Sequence, residues 1–571
     1  MRGPHRGGNR ISRSAPLLAG AAVALVAAIG LFATHHDPRP AVRPPLAIRV
    51  AEKAPAARQA LSGLHWTSVR TEPLGSTIER VSFYTGARLA ADVLVQRVAG
   101  APRGVAGAQV VQAIDDHALR VPYGNTIAYQ PALLIGLSVL FVLMTGVAPW
   151  RRLRNLDVGV AMSLLGSMLL FQYRYIDASI VVAAAGLTYL ALRCVLRGLG
   201  PATEPLPATP LVTALTPGWD PAVRTRWMRV SLVIVSLIVL MVGAGSPSAV
   251  DVLYAAMEGA TRLMHGLLPY GHMPPGIVHG DTYPILTYAL YAPLAVFAPV
   301  NSLWDSVALG LAVAAVAALF AGWAVFRTNA GPGRSADRSR SIGKEQAGLR
   351  AALAWLTFPP LLAVVSTGTT DLVLAAMLAA AVLLWRRPTA CAGLLAAAGW
   401  FKLAPFVLLP VCLASLRGRR LVAALAAAAG VSAPLVALLL FVGGLHGPLD
   451  MAHAVAYQFS RGPDQSIWGA LGIEGLQPLG QACVLGLVAA IVVKLRYQPD
   501  LALDRPRIAA LVAAVLIGMQ LAADYWAFLY LVWIVPGLCM SLLAEPGVVR
   551  SETEQVVHEL PRLQPVAAPA G

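Results

Sequence analysis

Apolar runs of about 20 residues recur along most of this chain, and a run of that length crosses a bilayer as one α-helix. Hydrophobic residues make up 57% of the 571 residues and charged residues 13%, against roughly 25% charged in an ordinary soluble domain. This balance excludes a disordered chain, a collagen, a coiled coil and a disulfide-framed secreted module. The sequence predicts an all-α polytopic membrane protein.

The apolar runs predict about 12–14 transmembrane helices. The predicted spans are 15–33, 131–149, 157–173, 177–195, 228–244, 305–326, 351–366, 371–385, 421–442, 478–494, 507–522 and 526–543, with a helical hairpin at 389–416 that is broken near Lys402 and Pro405. Residues 283–300, rich in Tyr and Pro, are predicted to be interfacial or re-entrant. The alternative is a full span there, which would move the basic residues of 327–350 to the other side of the membrane.

The net charge of +16 comes from 44 Lys and Arg against 28 Asp and Glu. The basic residues cluster in short loops, as in 150–154 and 417–420, so the positive-inside rule places these loops and both termini in the cytoplasm. No basic stripe interleaved with aromatics is present, and we expect no nucleic-acid partner. Only four residues are Lys, a composition typical of a GC-rich bacterial genome, so the expected location is a bacterial plasma membrane.

Five regions are predicted from these patterns. Residues 1–34 form a cytoplasmic N-terminus and anchor helix, 35–130 an extracytoplasmic polar segment, 131–227 a three-helix extension with a cytoplasmic loop, 228–543 the main transmembrane module, and 544–571 a flexible cytoplasmic tail. The five cysteines lie in or beside apolar runs without metal-ligand spacing, so neither a disulfide framework nor a zinc site is expected.

The polar residues that follow the span 228–244 are the first candidates for chemistry. Asp251, Tyr254, Glu258, Arg262 and His265 share one helical face. This spacing predicts an amphipathic helix along the outer membrane surface, and the alternative is an ordinary interfacial helix whose charges face water.

The next loop adds His272, His279, Asp281 and several rigid turn residues. His279 and Asp281 could bind a divalent ion, but no clear third ligand accompanies them, and we expect no metal and no cofactor. Asp281 could instead cap the segment that begins at Tyr283.

Several short motifs occur in the order found in polytopic C-type (GT-C) glycosyltransferases. They are DVLYA at 251–255, GLLPYG at 266–271, GDTYP at 280–284, STGTTD at 366–371, GWFKLAP at 399–405, RGPDQSIWG at 461–469 and DYW at 524–526. Together they resemble the family 87-like group of actinobacterial polyprenol-phosphate-mannose-dependent mannosyltransferases over about 228–543. The resemblance does not extend to residues 1–227, and Thr369 and Thr370 stand where relatives often carry Gln or Asn.

The resemblance implies a GT-C-like bundle with re-entrant or interfacial helices in its outer loops. It implies transfer of a sugar, expected to be mannose, with inversion from a polyprenyl-phosphate donor. The acceptor would be a lipid or cell-envelope glycan at the extracytoplasmic face. Asp251 matches the catalytic base of such enzymes, and Asp281 is a second catalytic candidate that would orient the acceptor.

Two cations are candidates for the phosphate of the donor. Lys402 lies within the predicted membrane region, where a charge is a functional hypothesis by default, although it could simply reach the headgroups. Arg461 offers a fork that suits phosphate, or it is a solvated loop charge. The candidate substrate-binding residues are Glu258, Arg262, Tyr270, His279, Tyr283, Asp371, Trp468 and Tyr525. The aromatic ones could equally be interfacial belt residues.

Two other functions fit the same residues. A transporter or flippase of a lipid-linked or anionic solute would place Lys402 and Asp371 along its path. A non-catalytic relative would only bind a lipid-linked glycan. Most ionisable residues lie at the predicted outer rim and few at the midplane, which favours the enzyme.

Overall fold

The structure is a computed structural model that describes residues 46–53, 58, 61–62, 66–73, 78–86, 88–97, 108–114, 126–201, 208–246, 249–273, 277, 280–297, 303–331, 338–460 and 465–543. Within these ranges, seven helices are long and apolar enough to cross a membrane, or eight if one bent pair is a single span. Six shorter apolar helices of 10–17 residues accompany them. The predicted all-α polytopic membrane fold is confirmed, while the predicted anchor at 15–33 and the tail at 544–571 lie outside the described residues.

The helices follow one another closely from residue 131 onward. They are, after α1 (Leu46–Lys53), α2 (Pro131–Thr145), α3 (Leu153–Gln172), α4 (Ile176–Leu199), α5 (Leu211–Leu215), α6 (Pro221–Ala244), α7 (Asp251–Met264), α8 (Ile285–Ala289), α9 (Ala292–Phe297), α10 (Leu303–Ala330), α11 (Arg338–Thr357), α12 (Pro359–Ser366), α13 (Asp371–Leu383), α14 (Pro388–Phe401), α15 (Leu408–Leu413), α16 (Gly418–Gly443), α17 (His446–Ser460), α18 (Ile467–Ala470), α19 (Gln477–Tyr497), α20 (Arg505–Ala522) and α21 (Leu531–Met540).

The polar segment before residue 131 contains a small sheet. Strands β1 (Ser68–Pro73), β2 (Ile78–Thr85), β3 (Arg88–Arg97) and β4 (Ala108–Ile114) form an antiparallel sheet in that order. Its buried side chains, including Val81, Phe83 and Val93, pack with Ile48 of α1 into a separate core. Arg70 of β1 donates to the Asp177 carboxylate at the start of α4, with Nη2 and Oδ2 2.9 Å apart, and this ion pair ties the sheet to the helical bundle.

Prolines explain where the helices bend. Helices α11 and α12 meet at an angle of 56° where Pro359 and Pro360 begin α12, because proline cannot continue the hydrogen bonding of the preceding helix. Helix α14 ends at Phe401, and Lys402 is extended, with φ −145° and ψ 140°. The predicted break in the 389–416 hairpin is therefore present.

The basic loops gather at one end of the bundle, here called the basic end. Arg386 donates to the Leu503 carbonyl and Arg496 to the Leu416 carbonyl. Arg229, near the start of α6, pairs with Glu345 of α11. The start of α6 and the start of α11 therefore lie at the same end.

Helix α6 runs from the basic end to the opposite end, here called the far end, where Ser246 bonds to the Ser366 carbonyl. Helix α10 returns from the far end, and its Phe326 packs on Gly348 of α11. The short helices α8 and α9 occupy residues 285–297 between them. For the described residues 283–297, this arrangement supports an interfacial or re-entrant segment over a full span.

Small residues let the central helices approach closely. Ala314, Ala318 and Ala321 of α10 are buried, and the Trp355 indole of α11 donates to the Ala318 carbonyl over 2.8 Å. Helices in lipid associate through such close packing and interhelical hydrogen bonds, since lipid supplies no hydrophobic drive between them. The alanine-rich sequence thus produces a tight framework for the far end.

Candidate functional site

A buried ion pair lies at the far end. The Lys402 Nζ is 2.5 Å from the Asp371 Oδ1, and the two residues are 7% and 0% exposed. Asp371 is the first residue of α13, and Lys402 lies in the extended break after α14. The break frees the Lys402 side chain to turn toward the start of α13.

The Asp371 carboxylate accepts two further hydrogen bonds. The Trp533 Nε1 donates to Oδ1 over 2.8 Å, and the Thr369 hydroxyl donates to Oδ2. Hydrogen bonds to the ionised form stabilise it. Both oxygens of the carboxylate are thus held in place directly beside the ammonium.

Three aromatic rings surround the ammonium. The Lys402 Nζ is 5.5 Å from the ring centre of Tyr283, 5.7 Å from that of Tyr530 and 5.5 Å from that of Trp533. The electron-rich faces of such rings attract a cation at these distances. We call these three rings the aromatic enclosure.

Asp251 lies at the same end and is exposed. It begins α7, and its Oδ1 accepts from the Val252 N–H over 2.9 Å. The preceding Val250 N–H donates to the Thr367 carbonyl, also over 2.9 Å. The turn that carries Thr367 leads four residues later to Asp371, so one turn fixes both the start of α7 and the buried ion pair.

Helix α7 is enclosed by protein on one of its sides. Its polar side chains do share one side, where Glu258 and Arg262 form an ion pair of 3.0 Å. The other side is buried in protein, where Gly259 admits the Tyr288 ring of α8 against the helix backbone. The predicted amphipathic pattern is therefore present, and the apolar side of α7 packs on protein.

The loop after α7 is held by its own polar groups. The Asp281 Oδ2 accepts from the Gly271 N–H over 2.9 Å, and Gly271 has a φ of +71°, which favours glycine. Asp281 does not cap α8, whose start has no side-chain cap. The Tyr270 hydroxyl donates to the Tyr283 carbonyl over 3.2 Å. Burial and the nearby charge of Asp281 raise the pKa of Tyr270, so its hydroxyl stays protonated as a donor.

The later loop joins the closing segment at the far end. The Trp468 Nε1 donates to the Leu521 carbonyl over 3.0 Å, and the Trp526 N–H donates to the Gln465 carbonyl over 2.7 Å. The Tyr525 and Tyr530 ring centres are 6.1 Å apart. Tyr525 thus reaches the aromatic enclosure through Tyr530.

The structure brings some of the predicted site residues into contact, and others lie outside that cluster. Lys402, Asp371 and Tyr283 meet in one cluster, and Tyr525 adjoins it. Trp468 is anchored by its indole, and Glu258 and Arg262 pair with each other on α7. His279 and Arg461 lie outside the described residues.

Sequence reasoning missed the roles of Thr369, Tyr530 and Trp533. Trp533 is 162 residues from Asp371, and no local pattern links them. The position of Thr369 two residues before Asp371 was a usable signal, because Ser and Thr hydroxyls often bond to groups nearby in sequence. Within the described ranges, no group of three or more His, Cys, Asp or Glu residues could hold a metal ion.

Comparison with known proteins gives one match. Residues 282–523 match the model of glycosyltransferase family 87. The matched range includes Asp371, Lys402 and Trp468, and it begins immediately after Asp281. No curated protein and no solved structure matches the chain.

Proposed function

Since residues 282–523 match the model of glycosyltransferase family 87 and the chain is a multi-pass membrane protein, we propose that it transfers a sugar from a polyprenyl-phosphate donor. The expected sugar is mannose, and the acceptor is a lipid or cell-envelope glycan at the extracytoplasmic face of a bacterial plasma membrane. The observation that carries this proposal is the buried Lys402 ammonium at the same end of the bundle as the exposed Asp251 carboxylate.

Asp251 is proposed as the general base. The acceptor hydroxyl oxygen attacks the anomeric carbon, the bond from that carbon to the phosphate oxygen breaks, and the hydroxyl proton passes to the Asp251 carboxylate. The configuration inverts because the nucleophile enters opposite the leaving group. An exposed carboxylate is open to a hydroxyl that arrives from water or from a lipid headgroup. Asp281 is proposed to orient the acceptor through the loop that it holds against Gly271.

Lys402 is proposed to bind the phosphate of the donor. An ammonium has three N–H donors, and within the described residues one of them is directed to Asp371. The other two can bind phosphate oxygens, and a cation fixed beforehand stabilises the negative charge that develops on the leaving phosphate. Asp371 would fix the position of the ammonium. Arg461 is proposed as a second phosphate ligand.

The remaining predicted residues are proposed to bind the sugar or the acceptor. The rings of Tyr283 and Tyr525 lie at or beside the aromatic enclosure, where a sugar attached to the phosphate would lie. The remaining candidates are proposed to contact the acceptor or the sugar from α7, from α18 and from the loop after α7; they are Glu258, Arg262, Trp468, Tyr270 and His279.

The test compares the wild-type protein in nanodiscs with Asp251→Asn, using radiolabelled polyprenyl-phosphate-mannose and host membrane lipids. The variant should fold normally and lose about 10²–10⁴-fold in rate, the usual contribution of a general base. Asp220→Asn is the matched control, because Asp220 is an exposed aspartate at the start of α6 and Asn also caps helices well. Full activity of Asp251→Asn would reject its role. If neither protein transfers the label in nanodiscs, but the wild type moves the labelled donor across the bilayer of sealed proteoliposomes, that result would favour the transporter.

A further inference from the structure

A polar pocket lies at the basic end of the bundle, at the opposite end from Lys402. It has a volume of about 260 Å³ and lies between the end of α10 and the start of α11. Its lining residues are Phe326, Arg327, Ala330, Gly331, Ser341, Lys344 and Glu345. The pocket is therefore large enough for a phosphate group.

The charges around this pocket favour an anion. Arg327 and Lys344 contribute two positive charges, and Ser341 adds a hydroxyl. Glu345 is the one carboxylate among the described lining residues, and its charge is neutralised by Arg229, whose Nε lies 2.8 Å from Oε1. Among the described residues, no carboxylate pairs with Arg327 or Lys344. Arginine and lysine are the usual protein ligands of phosphate.

The surface below the pocket fits an acyl chain. Phe320, Trp323 and Arg327 follow one another at spacings of three and four residues, so they share one face of α10. Phe320 is 46% and Trp323 is 48% exposed, and their ring centres are 5.3 Å apart. This aromatic pair lies deeper along a membrane-spanning helix, directly below the cation at its end.

We propose that this pocket binds the headgroup phosphate of an anionic phospholipid, with one acyl chain lying over Trp323 and Phe320. A soluble phosphate would use the cations but not the aromatic pair, so the combination points to a lipid. Basic pockets between transmembrane helices bind anionic headgroups in this way. The proposal is independent of the reaction at the far end.

Lipid binding tests the proposal directly. The purified full-length protein is titrated with phosphatidylglycerol in detergent and followed by native mass spectrometry, with phosphatidylcholine as the comparison lipid. Arg327→Gln with Lys344→Gln should weaken phosphatidylglycerol binding about 30-fold, from about 1 kcal/mol for each cation near an anionic headgroup. Trp323→Ala should also weaken phosphatidylglycerol binding, but it should not alter any binding of inorganic phosphate.

The matched control is Arg419→Gln with Arg420→Gln, which removes two exposed cations at the start of α16. Its binding should equal that of the wild type, and Arg327→Lys with Lys344→Arg should also retain binding. Equal loss in the control would show general attraction to charge and overturn the proposal. Displacement of the lipid by millimolar inorganic phosphate, with no effect of Trp323→Ala, would overturn the assignment to a lipid.

Discussion

The Lys402 ammonium and the Asp371 carboxylate form a buried ion pair of 2.5 Å that joins the break after α14 to the start of α13. A pair of this kind contributes little net stability, because both charges have lost their water. Removal of one partner is far more damaging, since the other charge is then buried alone. This asymmetry gives the pair a measurable signature.

Lys402→Met should destabilise the protein by about 3–5 kcal/mol and abolish sugar transfer. The physical reason is that Asp371, which is 0% exposed, would be left buried without its counter-ion. The measurement is thermal unfolding in detergent together with the transfer assay. Lys402→Met with Asp371→Leu removes both charges and should recover most of the stability but none of the activity. Recovery of activity in the double variant would contradict the phosphate-binding role of Lys402.

Trp533→Phe should cost about 1.5–3 kcal/mol, the usual value for a hydrogen bond to a charged group. Phenylalanine keeps an aromatic ring in the aromatic enclosure but cannot donate to the Asp371 Oδ1, which the indole reaches over 2.8 Å. Trp323→Phe on the exposed face of α10 is the control, and it should leave the unfolding temperature unchanged. Equal stability of the two variants would show that the indole hydrogen bond is unimportant.

Gly259→Ala should separate α7 from α8 and reduce transfer. A Cβ at this position would lie 2.1 Å from the Tyr288 ring, which cannot move without disturbing the loop beneath Asp281. We expect a cost of about 1–3 kcal/mol, typical of overpacking. Gly136→Ala in α2 is the control, because no atom lies within 4 Å of the added Cβ. That change should be neutral or stabilising by about 0.5–1 kcal/mol.

Phe171→Ala should weaken the contact between the N-terminal extension and the closing segment. The Phe171 ring centre lies 5.4 Å from that of Phe528 and 6.4 Å from that of Trp526. We expect a loss of about 3–5 kcal/mol on truncation of a buried phenylalanine. Ile135→Ala in α2 removes a side chain that is 64% exposed and should change stability by less than about 0.5 kcal/mol. An unchanged unfolding temperature for Phe171→Ala would show that the extension does not support the site.

Much of the framework could be read from the sequence. Helices α3, α4, α6, α10, α16, α19 and α20 occupy the predicted spans to within a few residues, because a run of apolar residues is a local property that the bilayer selects by length. The break at Lys402 followed from a nearby proline, and the helical character of 251–264 followed from its period. The angle between α11 and α12 was missed, although Pro359 and Pro360 were there to indicate it.

The candidate site was only partly predictable. Residue types and positions indicate Asp251, Asp281, Lys402 and Tyr283, and the catalytic role of Asp251 follows from the resemblance to GT-C glycosyltransferases. The sequence does not predict the pairing of Lys402 with Asp371 or the donation from Trp533. The sequence also does not predict the sheet formed by β1 to β4. Strand pairing depends on which segments meet and is weakly specified by a short polar stretch.

The sequence by itself determined that the chain is a membrane protein. It also determined where the helices start and break, and which residue types lie at the far end. Hydropathy, helical period and proline act within a few residues of each other, so these features are local. Only the tertiary structure decided which charges and rings surround Lys402. Two of those partners, Asp371 and Trp533, are 162 residues apart, and a buried ammonium must be matched by whatever groups the packing of the helices brings to it.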